Sequence, residues 1–352
     1  MTLSFRHSIC PICGQTDAAT LFKTARVRSL GRIGNVREPM DTVMCSTCGL
    51  LYRDPMPTTQ EMADYYEREY YETYKGRTGD LLKLNELEHE RLANRGKRKV
   101  EYIARHLDFR GKRVLDLGCG RGFVLNAVRE LGPDAVVGVE PSSAIVDWLK
   151  GTFDFDVVHG TVGSFAAMRV DAGPALGDPF DIVLLMDVLE HLVDPRGDLT
   201  LIKDMLTPDG RLFIQTEFEG PGLDVVMQER ISVVHVLYQT PATVRRLLER
   251  VGFEPGGVVV EGKVMKVVAT PTAPSEQPAL TVREFRGLHR RYARAASKLP
   301  NAMRVVRNAR RKARSAIRSF LYLIGLGDAA AALRRALVAI ARRDKADRPL
   351  LK

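Results

Sequence analysis

The chain has 352 residues, 45% of them hydrophobic and 27% charged, with a formal net charge of +10. That is enough apolar material for one large core with small additions, and no run approaches the roughly 18 to 20 apolar residues needed to cross a bilayer, which sets aside a membrane-spanning helix. The charge is uneven: Thr281 to Lys352 holds 20 Lys and Arg against 4 Asp and Glu, so the preceding part is net acidic and no long phosphate-tracking surface is expected there.

The opening residues MTLSFRHSIC contain no apolar signal segment, so a cytoplasmic location is expected, where thiols stay reduced. Two knuckles follow, CPIC at Cys10 to Cys13 and CSTC at Cys45 to Cys48, with 31 residues between them and a glycine after each. Each knuckle puts two thiolates on one tight turn, and Gly14 and Gly49 free backbone N–H groups to bond the sulfurs. Four such ligands close a tetrahedral shell, so Cys10, Cys13, Cys45 and Cys48 are expected to hold a structural Zn2+ in a ribbon over residues 1–57, two disulfides being the alternative. Thr58 and Glu61 then form a capping box for a helix carrying Tyr65, Tyr66, Tyr70, Tyr71 and Tyr74. A tyrosine-rich face at helical spacing packs by default.

VLDLGCGRGF, Val114 to Phe123, combines a buried strand, a glycine turn and a helix start. Gly118, Gly120 and Gly122 let the backbone turn sharply and approach a ligand, and the following helix points its unpaired N–H groups at an anion. The glycines read G-x-G-x-G with Asp116 two residues ahead, whereas a dinucleotide fold wants G-x-G-x-x-G. The next strand ends in Glu140, whose carboxylate can accept both hydroxyls of a ribose. Strand patterns at 113–117, 136–140, 157–160, 182–187 and 211–215 alternate with helical ones, which argues for a parallel sheet. After the helix PATVRRLLERVGF, the runs GGVVVEG and VMKVVAT, joined at Gly262 and Lys263, read as a hairpin that closes the core near Thr270.

Residues 271–280, PTAPSEQPAL, form a linker into the basic segment 281–352. There Met303, Val306, Ala309, Ala313, Ile317 and Phe320 recur at helical spacing among arginines, and a second helix starting at Asp328 carries Leu333, Leu337 and Ile340 on one face. Basic amphipathic helices of this kind pack on their own domain or a dimer partner, lie on an anionic membrane surface, or contact nucleic acid. The membrane option implies peripheral attachment at the inner membrane surface.

Val114 to Gly122, Glu140, FDIVLLMDVLEHLVDP (Phe180 to Pro195) and LTPDGRLFIQTE (Leu206 to Glu217), in this order and spacing, resemble the motifs of class I S-adenosylmethionine (SAM) dependent methyltransferases over about Thr58 to Thr270. The resemblance implies a Rossmann-like, seven-stranded, doubly wound α/β sheet between the zinc ribbon and the helical tail. It implies Gly118 and Gly120 against the methionine part of SAM, with Asp116, Cys119 and Gly122 in the same loop. Glu140 is implied to hold the ribose, Asp187 to lie near the sulfonium or amino end, and Thr161 to border the adenine. A ribbon and a Tyr-rich helix ahead of such a core are similar to bacterial methyltransferases acting on nucleotide-linked sugars and related metabolites, which makes Tyr70 and Tyr71 candidates for substrate contact. Where the sugar C-methylating members carry a second α/β domain, this sequence runs into the linker and the basic segment, so O-methylation of a sugar, glycan intermediate or other small metabolite is expected in preference to C-methylation.

A hydroxyl acceptor must lose its proton, and His191 after the fourth strand, His235 before a later helix, and Glu190 are the candidate bases. Two other readings stay open. Ribbon plus SAM domain also occurs in enzymes modifying ribosomal RNA, although MDVLEH stands where base amino-methylation uses Asn or Asp before Pro-Pro and an aromatic. The other is a noncatalytic SAM-fold assembly protein.

Overall fold

The computed structural model describes residues 9–22, 41–68, 70, 82–217 and 235–297; Tyr71 and the helices expected beyond residue 297 lie outside them. Met1–Ala296 forms one compact unit and Ser297–Lys352 a second.

The two cysteine knuckles sit at the ends of a small antiparallel sheet. β1 (Ala18–Phe22) pairs with β2 (Asp41–Cys45), which pairs with β3 (Leu51–Asp54). Two helices follow. α1 (Thr59–Arg68) starts at the expected capping box, with the Thr58 N–H donating to Glu61 Oε2 at 2.7 Å. α2 (Glu86–Ile103) is capped by Asn85, whose Oδ1 accepts from the Glu88 N–H. Gly96 stands in the middle of α2 because a Cβ there would run into the Phe123 carbonyl, so this glycine seats the helix against the next one.

The core alternates as the apolar periodicity requires. β4 (Arg113–Leu117), α3 (Phe123–Arg129), β5 (Ala135–Glu140), α4 (Ser143–Thr152) and β6 (Asp156–His159) come first. α5 (Val162–Arg169), α6 (Pro174–Gly177), β7 (Phe180–Met186), α7 (Pro195–Met205) and β8 (Leu206–Glu217) complete the parallel part. The strands pair in parallel as β6-β5-β4-β7-β8. Successive side chains take opposite faces. Leu115, Leu117, Val183 and Leu185 pack with Phe165, Leu199 and Ile202 on one side, while Val114, Ile182 and Leu184 pack with Val100, Ile103, Leu125 and Val128 on the other. Both faces are thus covered by helices, as in a Rossmann-like α/β methyltransferase sheet.

Three features differ from, or add to, the expectation. β9 (Leu237–Tyr238) leaves the core and pairs antiparallel with β3, so the four-cysteine sheet takes its last strand from a segment far along the chain. α8 (Pro241–Val251) ends at Gly252 in the left-handed region (φ 96°), and Phe253, expected inside that helix, instead opens β10 (Phe253–Pro255). The hairpin of β11 (Val259–Glu261) and β12 (Val264–Pro271) does turn at Gly262, but β12 lies antiparallel between β8 and β10, so β10 takes the outer place and β11 is an appendage of β12. The sheet order is β10-β12-β8-β7-β4-β5-β6.

α9 (Val282–Ser297), the first part of the basic segment, packs back on the four-cysteine sheet, where Tyr292, Phe285 and Leu288 meet Met44, Leu51 and Tyr238. Its approach is fixed by the Leu280 N–H donating to the Thr47 carbonyl at 2.8 Å. Among the described residues no helix is long and apolar enough to cross a membrane.

Candidate active site

The carboxyl ends of β4, β5 and β7 open into a cavity of about 540 Å³ roofed by α1 and α2. A ligand pocket at this end of a parallel sheet, beside a glycine loop, is where the topology leaves a crevice. Gly118 and Gly120 line it with φ of 75° and 54°. A Cβ on Gly118 would meet Val188 Cγ2 at 2.6 Å, while the space beside Gly120 is open for a ligand to press against the backbone.

Glu140 closes this loop. Its Oε2 accepts from the Gly120 N–H at 3.0 Å and its Oε1 from the Ser142 N–H at 3.1 Å, and burial pushes its carboxyl up to about 7. Asp116 lies below the loop, fully buried, with no hydrogen-bond partner for Oδ1 among the described residues. Burial, reinforced by Glu140 and Asp187, pushes Asp116 up to about 7 against the opposing pull of Lys99. Asp187 follows β7 in the left-handed region (φ 60°), unusual for a residue with a side chain. Its carboxylate is held from both sides, by Gln215 Nε2 at 2.9 Å and by the Lys99 ammonium at 2.9 Å. Glu140 and Asp187 at the wall of one apolar cavity, with Asp116 buried behind the loop, make a site that favours a cation.

The remaining predicted contacts divide. Thr161 borders the cavity, and its hydroxyl caps α5 by accepting from the Ser164 N–H. Cys119 and Gly122 do not line the cavity. The Cys119 sulfur turns inward toward Gly138, and Gly122 opens α3 where Leu149 and Phe155 would block any Cβ. Tyr70 reaches the cavity beside Tyr66, and its ring contacts Tyr65 and Tyr66.

His191 and His235 meet at the cavity wall. Their ring centroids are 4.6 Å apart at 75°, and Tyr66 stands edge-on to His191 at 6.0 Å. Glu190 precedes His191 in the 3₁₀ turn Leu189–His191, is 2% exposed, and accepts from Thr216 Oγ1 at 2.8 Å. Burial pushes its carboxyl up to about 7. Backbone bonds tie the two segments together: the Val236 N–H donates to the Glu190 carbonyl, and the Arg53 N–H of β3 donates to the Val236 carbonyl, both at 2.9 Å.

Five residues in or beside the cavity have no role assigned from the sequence. Tyr66, Arg91 and Arg121 line the cavity, and Lys99 and Gln215 hold Asp187. Arg121 and Gln215 lie inside the quoted motifs and Tyr66 on the tyrosine-rich helix, while for Arg91 and Lys99 the one sequence signal is Gly96, a glycine inside an otherwise strong helix, which marks close packing of that helix.

In the small sheet the four cysteines are buried and unoxidised, with Sγ separations of 3.5 Å for Cys10 and Cys48 and 3.4 Å for Cys13 and Cys45. That is too long for a disulfide and near the roughly 3.8 Å set by tetrahedral bonds of about 2.3 Å, so the cluster fits a zinc ribbon.

Residues 87–255 match the family model described as a methyltransferase domain. They form a class I SAM-dependent methyltransferase domain. The chain is 32% identical over 162 residues to a ubiquinone biosynthesis O-methyltransferase of Dinoroseobacter shibae, covering 42% of this chain and 62% of that protein. It is 31% identical over 163 residues to a tRNA U34 carboxymethyltransferase of Azotobacter vinelandii, covering 44% and 49%. The chain thus spans about half to three fifths of the length of these curated relatives. Among solved structures it is similar to the magnesium protoporphyrin IX methyltransferase of Synechocystis with bound SAH, at a TM-score of 0.44 and 18% identity over 61% of this chain and all of that one.

Proposed function

We propose that this protein transfers the methyl group of SAM to a hydroxyl oxygen of a small acceptor. The observation that carries the reading is one wall: the open glycine loop, Glu140, Asp187 and the His191–His235 pair all border a single cavity large enough for cofactor and acceptor. The chemistry of SAM suits the lining. Its ribose hydroxyls match Glu140, its sulfonium and ammonium match Asp187, with the buried Asp116 adding negative charge behind the loop, and its carboxylate calls for a cation, a role we give to Arg91 and Arg121.

Methyl transfer is an in-line displacement: the acceptor oxygen attacks the methyl carbon, the carbon–sulfur bond breaks, and the neutral thioether leaves with that electron pair. The acceptor proton is drawn off at the cluster of Glu190, His191 and His235, whose two histidines line the same cavity as the loop. Tyr66 of α1 and Tyr70, just beyond that helix, cover the reacting groups and exclude water. A ribbon zinc on the four cysteines, if bound, supplies no reaction chemistry, since a four-thiolate shell has no open position. It would steady β3, and through β9 the segment bearing His235.

The relatives are named for ubiquinone and tRNA rather than for sugars, so a hydroxylated ring compound stands beside the sugar and glycan candidates. An RNA acceptor is the second reading, supported by the tRNA-modifying relative and by the exposed Arg283, Arg286, Arg290, Arg291 and Arg294 of α9. The test is transfer from methyl-labelled SAM to a panel of catechols, nucleotide sugars, lipid-linked glycans and tRNA. Label on a small hydroxyl compound is the expected result, label on tRNA alone moves the function to the second reading, and no transfer to any acceptor counts against an enzyme.

A further inference from the structure

Glu190, His191 and His235 offer one carboxylate oxygen and two imidazole nitrogens that all lie within 4.8 Å of one another. They come from two segments: the turn after β7 supplies Glu190 and His191, and the approach to β9 supplies His235. The segments are bonded to each other through Val236 and Glu190, and to β3 through Arg53, so the three donors stand on a tied backbone rather than on an isolated loop. His191 and His235 face the cavity while Glu190 closes the group from behind. Further negative charge surrounds them. Glu217 Oε2 lies 3.5 Å from His235 Nδ1, and Asp187 borders the same cavity. Two imidazoliums with ring centres 4.6 Å apart would repel, whereas two neutral imidazoles and a carboxylate can share one ion.

We propose that Glu190, His191 and His235 form a divalent-cation site in the wall of the methyl-transfer cavity, separate from the four-cysteine cluster. Two imidazoles and one carboxylate occupy one side of an ion and leave its other positions open, here toward the cavity. This donor set suits Mn2+, Fe2+, Co2+ or Zn2+ better than Mg2+ or Ca2+, because nitrogen ligands favour the later metals. The site takes an acceptor that presents oxygen donors, such as a catechol or a vicinal diol; an ion bound to such an oxygen lowers the cost of losing its proton to solvent, which replaces proton transfer to Glu190, His191 or His235 while these are ligands. That substrate consequence rests on the proposed methyl transfer, while the ion site itself does not.

The test is titration of the zinc-loaded full chain with Mn2+, read by loss of the free aqua-ion signal in electron paramagnetic resonance. Mn2+ competes poorly for a thiolate shell that zinc already fills. Expected are one saturable equivalent, spin-echo modulation from directly bound imidazole nitrogen, and at least a tenfold loss of affinity in His191→Asn and in His235→Asn. Absence of saturable Mn2+ binding, or binding without nitrogen modulation, overturns the proposal on the unaltered protein. So does unchanged affinity in both variants. Binding of S-adenosylhomocysteine (SAH), measured on the same samples, separates the two ideas: SAH binding without a Mn2+ site removes the cation and leaves methyl transfer standing, and a Mn2+ site without SAH binding does the reverse.

Discussion

Replacing Glu140 by alanine tests the cofactor assignment at the residue where sequence and geometry agree most closely. The carboxylate accepts from the Gly120 and Ser142 backbone N–H groups and is 5% exposed. It is therefore held in place before the ribose arrives, and its remaining lone pairs are the ones left for two hydroxyls. A charge-assisted hydrogen bond contributes about 1.5 to 3 kcal/mol, so loss of the carboxylate should weaken SAH binding roughly tenfold to a hundredfold. Glu140→Gln is the sharper version: one amide oxygen can replace one carboxylate oxygen, but the NH2 must face a backbone donor, so it should lose nearly as much as alanine. The assay is isothermal titration with SAH, on protein whose thermal unfolding confirms the fold. An affinity within a factor of two of the parent in both variants would refute the ribose role.

Other outcomes follow from the same geometry. Asp116 and Glu140 are both pushed by burial from ordinary carboxylate values of 3.8 and 4.5 to about 7, and a bound sulfonium favours their charged forms. SAM affinity should therefore rise from pH 6 to pH 8 more steeply than that of SAH, whose sulfur is neutral; parallel calorimetric pH series check this, and identical slopes would contradict it. The ligand-free protein has the opposite dependence, because acids whose pKa is raised by burial favour the fold only while protonated: the melting temperature should fall as pH climbs from about 4.5 through about 7. Gly118→Ala places a Cβ at positive φ and 2.6 Å from Val188, so urea unfolding should show a loss of about 1 to 3 kcal/mol. If the four cysteines hold zinc, as expected of their spacing, stripping it with a chelator and then restoring Mn2+ alone should unseat β3 and β9, lowering methyl transfer by on the order of tenfold or more while SAH affinity changes far less; equal loss of both would show that the ribbon supports the whole fold rather than the His235 segment.

What could be read from the chain was local. The glycine turn, Glu140 and Asp187 lie within or just after single strands, so the backbone conformations and ligand chemistry that select them are written in a few adjacent residues. β10 was not legible because it starts at Phe253, directly after the Gly252 that ends α8, with no loop composition between helix and strand to mark it. The pairing of β3 with β9 joins Leu51 to Tyr238, and two short apolar segments so far apart carry no periodic mark of each other. Arg91 and Lys99 sit in a helix rich in charge with no motif of their own, and the docking of that helix against Phe123 brings them to the cavity and to Asp187. Cys119 shows the converse: membership of the motif did not make it a contact, because its side chain points into the α4 layer, where it packs with Ile145 and Leu149.

The measurement that bears most directly on the central claim is calorimetric titration of folded protein with SAH, with zinc content assayed on the same sample. Micromolar, one-to-one binding that falls in Glu140→Ala is the predicted result. No heat of binding from folded, zinc-replete protein would contradict the account and leave an assembly role for a SAM-type fold.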